Sequence, residues 1–168
     1  MRRKERAIEE LSEIKKLVED CHVVRLAMFD EEYPYIVPVN YGYEWQGEEL
    51  LLYIHGARQG KKVNLIQQHP KVAVEMDTDH ELISGGSRPD KYSYEYRSLI
   101  GFGEAIILED LAEKRHALQL LLDHTVKESA LEPMPDKMVA GTAIIKISLV
   151  EYSVKQNKPK KSSNQGLA

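Results

Sequence analysis

Alternation of apolar and polar residues at every second position is the feature that most restricts how this chain can fold. The alternation begins after Cys21 and marks six segments, the first three of which follow one another without an intervening helix. Because a parallel sheet needs a long crossover after nearly every strand, this order favours antiparallel pairing. The sequence therefore predicts a small, mainly β, six-stranded antiparallel barrel with peripheral helices. The predicted strands are residues 22–29, 33–45, 49–55, 71–77, 92–108 and 141–154.

Three segments change to helical spacing. Apolar residues recur every three or four positions over 4–19 and again over 61–68. A third helix is predicted after Asp110, because Glu113 stands three residues later in the spacing of a capping box. A long polar connection, residues 78–91, separates two of the predicted strands.

Length and charge limit the classes of protein that fit. A chain of 168 residues with 42% hydrophobic residues predicts one domain, which we place at residues 1–152, followed by a lysine-rich flexible tail at 153–168. A single cysteine, no apolar signal segment and no run long enough to cross a bilayer predict a cytoplasmic protein without a membrane partner. A net charge of −4 makes nucleic acid a poor partner, although one phosphate needs only local donors.

The segment His55 to Lys62, with the sequence HGARQGKK, leaves a predicted strand and enters a predicted helix. Its glycine spacing does not match a nucleotide-binding P-loop, and Lys62 occupies the place of the magnesium-binding Ser or Thr. Glycines, free N–H groups at a helix start and two lysines still suit one phosphate. An ordinary strand-to-helix turn with solvated lysines explains the spacing equally well.

Two strands carry further candidate residues. Pro38 inside the segment 33–45 indicates a sheet edge or a bulge, where backbone groups are free for a ligand, while the alternating aromatic residues of that segment are typical of a core face. In the segment 92–108, Arg97 can pair with an anion and Tyr96 can stack on a ring. The six histidines have no spacing typical of a metal site, so no bound metal is expected.

The order of these motifs resembles one known family. PYIVPVNYGYE, LLYIHGARQGKK, HPKVAVEMD, YRSLIGFGEAIIL and EKRHALQLLL follow one another as in the pyridoxamine 5'-phosphate oxidase-like, FMN-binding split-barrel proteins, and more narrowly their nitroimidazole-resistance-related branch. The resemblance implies a split barrel, and a homodimer that holds FMN at the subunit interface. It also implies an oxidoreductase that reduces a small molecule such as a nitro-aromatic compound.

The resemblance also implies site residues. The strand matching Val37 to Tyr41 runs along the flavin ring, the His55–Lys62 segment holds the ribityl chain and phosphate, and the stretch around Arg97 lies close to the cofactor. His55 is the candidate catalytic residue, either as a proton donor or as a plain cofactor contact. The implied cofactor-binding residues are Val37, Pro38, Val39, Asn40, Tyr41, His55, Gly56, Ala57, Gly60, Lys61, Lys62, Tyr96, Arg97 and Ser98.

Several alternatives stay open at this point. The chain can be a flavin- or haem-binding carrier without turnover, a pyridoxamine phosphate oxidase-like enzyme, or a deazaflavin-dependent enzyme. The C-terminal motif of the true oxidases is not visible, since the chain ends in the lysine-rich segment. Whether the protein is an enzyme is therefore not decided by the sequence.

Overall fold

Strands dominate the part of the chain that the structure describes. The computed structural model describes residues 4–126 and 131–159. Its strands are β1 (Val24–Met28), β2 (Tyr35–Val39), β3 (Gly42–Gln46), β4 (Glu49–Gly56), β5 (Lys71–Thr78), β6 (Leu82–Ile83), β7 (Ser93–Tyr94), β8 (Tyr96–Leu108) and β9 (Ala143–Asn157). Its α-helices are α1 (Leu11–Asp20), α2 (Lys61–Gln68), α3 (Leu111–Thr125) and α4 (Asp136–Gly141).

Seven strands form one antiparallel sheet in the order β2-β1-β5-β8-β9-β4-β3, and β6 pairs with β7 in a separate small hairpin. The edge strands β2 and β3 do not pair with each other, so the sheet is not closed. Residues from both halves of the sheet nevertheless share one apolar core. This split-barrel-like arrangement confirms the predicted mainly β, antiparallel fold with flanking helices.

The main sheet has seven strands rather than the predicted six, because the predicted strand 33–45 breaks at Asn40 and Tyr41. Its first half, β2, pairs with β1, and its second half, β3, pairs with β4 at the opposite edge of the sheet. The ring of Tyr41 is fully buried at the break, and its hydroxyl lies 2.7 Å from the carbonyl oxygen of Val18. The chain thus turns inward there, and the first strands do not form a simple meander.

The predicted ends of the chain also differ from the structure. The first α-helix begins at Leu11 and not at Lys4, because the Ile8 N–H donates instead to the carbonyl oxygen of Val154 on β9. That strand continues to Asn157, so residues 153–157 belong to the sheet and not to the predicted tail. Residues 1–3 and the rest of the predicted tail from residue 160 lie outside the described residues.

The predicted strand 92–108 begins only at Tyr96, since residues 93–94 form β7, which pairs back onto β6 inside the predicted polar connection. Helix α4 was not predicted at all. It covers six residues and follows the proline-rich stretch 132–135, where the sequence has no long helical period.

Strand β4 is buried on both faces, which explains its nearly continuous apolar sequence. Leu50, Leu52 and Ile54 point into the barrel core. Leu51 and Tyr53 point the other way, into a second core beneath α3 and α4. Helix α3 lies directly on β3, because a Cβ atom at Gly42 would stand 2.5 Å from the backbone nitrogen of Leu121.

The N-terminus of α3 is capped as the sequence predicts. The Asp110 side chain accepts hydrogen bonds from the N–H groups of Ala112 and Glu113, both at 2.9 Å. We expect Asp110→Ala to lower the free energy of unfolding by about 1 kcal/mol, measured by urea denaturation. Asp110→Ser keeps a capping oxygen and is the control; equal losses in both variants would contradict the capping role.

Candidate functional site

The carboxyl end of β4 places His55 on the side of the sheet that faces α3 and α4. Alternation along the strand sets this direction, since Leu51 and Tyr53 face the same helices. The imidazole is exposed, and no hydrogen bond to it occurs among the described residues. His55 therefore presents a free imidazole at the point where the strand leaves the sheet.

The loop from Gly56 to Gly60 ends at the N-terminus of α2. Gly60 precedes the helix with φ +146°, a conformation that favours glycine, and no side chain caps the helix. The first N–H groups of a helix have no acceptor within it and carry the positive end of its dipole. This end of α2 thus has donors available for an anion.

The two lysines of this helix start differ in their surroundings. Lys61 forms an ion pair with Asp30, at 2.6 Å, and lies over the ring of Tyr35. Lys62 is half-buried, and its ammonium group lies close enough to Gly56 that an added Cβ there would be 3.5 Å away. Burial lowers the pKa of Lys62, and no carboxylate of the described chain pairs with it. Of the two, Lys62 is the cation that lacks a counterion.

The strand β2 has the two faces that the sequence predicts. Tyr35, Val37 and Val39 pack against the barrel core, while Pro38 is exposed on the other face. The strand lies at the edge of the main sheet, which confirms the interpretation of Pro38 as an edge residue. The side chains of Val37 and Val39 thus pack in the core. The backbone of β2 and its outer face remain available to a ligand.

The break after β2 is held by two histidines from elsewhere in the chain. The side-chain amide of Asn40 donates to the carbonyl oxygen of His22 at 2.8 Å. The Nδ1 atom of His124, near the end of α3, lies 2.8 Å from the carbonyl oxygen of Tyr41. Because the Tyr41 side chain is fully buried, its predicted contact with a cofactor is not possible through the ring.

Arg97 is paired with two carboxylates of its own chain, and its predicted role in binding an anion stays a prediction. Its side chain is only 10% exposed, and it donates hydrogen bonds to both oxygens of Asp79 and to Asp20, at 2.7 Å for the last. These bonds, chiefly those to Asp79, raise the pKa of the Arg97 guanidinium above its usual range and lower the pKa of the Asp79 carboxyl. The guanidinium is already neutralised, so we do not include it in the proposed site.

The structure does not bring Tyr96, Arg97 and Ser98 of β8 near His55 of the same chain. Pairing through β9 aligns His55 with Leu108, at the far end of β8 from Tyr96 and Ser98. Ser98 and Leu108 are ten residue steps apart on this strand, about 33 Å at about 3.3 Å per residue. Tyr96 instead accepts a hydrogen bond from Arg6 at 3.2 Å.

Two pockets flank the β4–α2 junction. The larger one, about 730 Å³, lies between the β1–β2 loop and α2, and charged residues such as Asp30, Glu31 and Lys61 line it. The other, about 410 Å³, lies beneath α3 and α4 and contains His55 and Asn40 together. Sequence reasoning missed the walls of this second pocket, because Met134 and Met138 belong to the unpredicted α4 region.

A strip of apolar side chains crosses the outer face of the sheet. Ile36, Ala27, Ala73 and Phe102 are paired neighbours on β2, β1, β5 and β8. Ile36 and Phe102 are each more than half exposed, and Val150, which lies beside Phe102, is more exposed still. Exposed apolar patches of this kind often mark an interaction surface. We call these five residues the apolar strip.

Other kinds of site find little support within residues 4–126 and 131–159. No group of three or more His, Cys, Asp and Glu side chains there has the arrangement of a metal site. None of the helices in these ranges is long and apolar enough to span a bilayer. Burial raises the pKa of the Cys21 thiol to about 12, which disfavours the reactive thiolate.

Comparison with known proteins shows the family of this chain. The family model described as pyridoxamine 5'-phosphate oxidase matches residues 10–156, and the chain belongs to this family. No curated protein matches the sequence.

Solved structures show the same fold. A candidate 5-nitroimidazole antibiotic resistance protein from Bacteroides thetaiotaomicron is 26% identical, with a TM-score of 0.76 over 89% of this chain and 86% of that one. A FAD and heme binding protein from Mycobacterium smegmatis is 19% identical, with a TM-score of 0.78 over 92% and 74%. A FAD-binding protein from Mesorhizobium loti is 24% identical, with a TM-score of 0.64 over 91% and 98%. At identities of 19% and 24%, the last two similarities establish the fold alone.

Proposed function

We propose that this protein is a flavin-dependent oxidoreductase that reduces a small molecule, with FMN as the cofactor. The observation that carries the proposal is the half-buried ammonium group of Lys62, which has no counterion among the described residues and lies at an uncapped helix N-terminus beside Gly56. A phosphate would neutralise this cation and accept from the first N–H groups of α2. The FAD-binding and nitroimidazole-resistance proteins with this fold support a flavin as the molecule that carries the phosphate.

The residues of this chain would bind and orient the cofactor. Gly56 and Gly60 allow close approach of the backbone, Lys62 holds the phosphate, and the free edge of β2 at Pro38 offers backbone groups to the ring. A bound flavin supplies the transfer of electrons to the substrate. His55 lies beside the apolar pocket, where an imidazole N–H can give a proton to the reduced product.

The active unit of the proposal is a homodimer with the cofactor between its subunits. Tyr96 and Ser98 lie at the opposite end of β8 from His55, so a second copy is needed for both groups to contact one flavin. The apolar strip offers a surface for this contact, because pairing two copies would remove Ile36, Phe102 and Val150 from water.

The experiment compares the reoxidation of reduced flavin on the protein and in solution. Holoprotein and free FMN are photoreduced without oxygen and mixed with nitrobenzene, and flavin absorbance is followed. We expect the holoprotein to react at least about tenfold faster than free FMN, since positioned proton donors contribute about 100-fold or more. His55→Gln should lose most of this advantage while the Kd for FMN stays within about threefold. His69→Gln, at the other end of α2, is the control; reoxidation no faster than free FMN would indicate a carrier.

A further inference from the structure

The pocket beside His55 is apolar almost throughout, in contrast to the charged pocket on the other side of the junction. Its walls come from α3, α4 and the stretch before α4. Side chains that form them include Leu118, Leu121, Leu122, Met134 and Met138. Its volume of about 410 Å³ falls in the range of small-molecule sites, and a dry cavity of about 150 Å³ already holds benzene. The space thus admits one ring with a substituent of several carbons.

The polar atoms of this pocket are nearly all engaged. The hydroxyl groups of Thr125 and Thr142 donate to the carbonyl oxygens of Leu121 and Met138, at 2.6 and 2.9 Å. The amide N–H₂ of Asn40 donates to His22. The Asn40 side-chain oxygen, its second amide N–H and the His55 imidazole remain for a ligand. Among residues 4–126 and 131–159, no Asp, Glu, Lys or Arg side chain lines the pocket.

We propose that this pocket binds the substrate of the reaction, and that it selects an uncharged molecule whose apolar substituent extends between α3 and α4. The proposal rests on the function given above. A carboxylate placed here would lose its hydration without gaining a cation, which is strongly unfavourable. Phosphate and substrate are thus sorted by charge, with the anion at Lys62 and the uncharged molecule beside His55.

The test uses the FMN-loaded protein and four acceptors, namely nitrobenzene, 4-ethylnitrobenzene, 4-butylnitrobenzene and 4-nitrobenzoate. We expect KM to fall about fourfold for each added methylene until the pocket is filled, which corresponds to about 0.8 kcal/mol per buried methylene. 4-Nitrobenzoate should have a KM at least about 100-fold above that of nitrobenzene, which lacks the carboxylate. Equal KM values across the series would overturn the proposal.

A variant locates the effect in the pocket. Met138 is 43% exposed, so Met138→Lys is compatible with folding and adds an ammonium group to the wall. We expect it to raise KM for 4-butylnitrobenzene about tenfold and to lower KM for 4-nitrobenzoate, with the Kd for FMN unchanged. Leu111→Lys is the matched control, because Leu111 is 39% exposed on α3 but does not line the pocket. Equal effects of the two variants would place the substrate elsewhere.

A binding measurement keeps this proposal separate from the proposed function. 4-Butylbenzamide is uncharged and cannot be reduced by flavin, so its binding to the protein, measured by calorimetry, does not depend on turnover. We expect binding that Met138→Lys weakens about tenfold and Leu111→Lys does not. If no flavin binds but 4-butylbenzamide does, the proposed function fails, and the proposal that the pocket binds an uncharged apolar molecule still holds. If flavin binds and is reoxidised but 4-butylbenzamide does not bind, the pocket proposal fails alone.

Discussion

Replacing Arg97 by methionine is expected to lower the free energy of unfolding by about 3 kcal/mol at pH 7, near the lower limit for breaking a buried ion pair. The methionine fills part of the space but leaves Asp20 and Asp79 next to each other without their cation. The two carboxylates keep some contact with water, which is why the expected loss is not larger. Asp79 also has φ +67°, so Arg97 helps to hold a residue in a left-handed conformation.

The loss should depend on pH. Hydrogen bonding to Arg97 lowers the pKa of Asp79 in the folded protein, so this carboxylate adds stability above its unfolded pKa of about 3.9. That stability disappears as the pH falls through the lower folded value. In Arg97→Met the Asp79 carboxyl group has no such stabilisation. The difference in free energy of unfolding between wild type and variant should therefore be largest above about pH 5 and should shrink below about pH 4.

Arg25→Met is the matched control, measured by urea denaturation under the same conditions. Arg25 also contacts two carboxylates, Glu75 and Asp77, but its side chain is 46% exposed. We expect a loss of at most about 1 kcal/mol, as for exposed ion pairs. Equal losses in the two variants would contradict a special role for the buried pair. If folded Arg97→Met has a higher Kd for FMN than the wild type, Arg97 belongs to the cofactor site.

The second large effect is expected on cofactor affinity. Lys62→Gln should raise the Kd for FMN by about 10- to 100-fold, because a charged hydrogen bond contributes about 1.5–3 kcal/mol. Flavin fluorescence quenching measures this directly. Riboflavin has no phosphate, so its affinity should be the same for wild type and variant.

Lys61→Gln separates the role of Lys62 from the general charge of the helix start. Lys61 lies one residue away, but its ammonium group is already bound to Asp30. We expect its replacement to change the Kd for FMN by at most about threefold, as for an exposed, screened charge. If the two variants weaken FMN binding equally, or if Lys62→Gln weakens riboflavin binding as much as FMN binding, the phosphate does not bind at Lys62.

The sequence predicted the class of fold because the patterns that indicate strands and helix caps lie within short segments of the chain. Period-two alternation gave β1, β4, β5 and β8 their positions to within a few residues, and the Asp110 cap was correct. The break at Asn40 and Tyr41 could not be predicted, since an unbroken alternation of residues continues through it. Only the contacts of the Tyr41 hydroxyl with α1 and the turn after it, far away in sequence, show why the chain changes direction there.

In the candidate site, too, local features could be predicted from the sequence and contacts between distant residues could not. The sequence identified the junction of β4 and α2, but it could not distinguish Lys61 from Lys62, because the difference depends on Asp30 from another loop. It likewise could not show that Arg97 is bound by Asp20 and Asp79, which lie 77 and 18 residues away. The apolar pocket was missed because α4 is too short to have a recognisable period.

The central claim is that this chain binds a flavin phosphate at the junction of β4 and α2. The most direct measurement is the visible spectrum of the purified protein, before and after addition of FMN, followed by denaturation and mass analysis of the released chromophore. The account predicts the absorbance bands of a bound flavin, the mass of FMN in the released fraction, and a lower content of bound FMN in purified Lys62→Gln. A colourless protein that takes up no FMN, or one that releases haem or a deazaflavin instead, would contradict it.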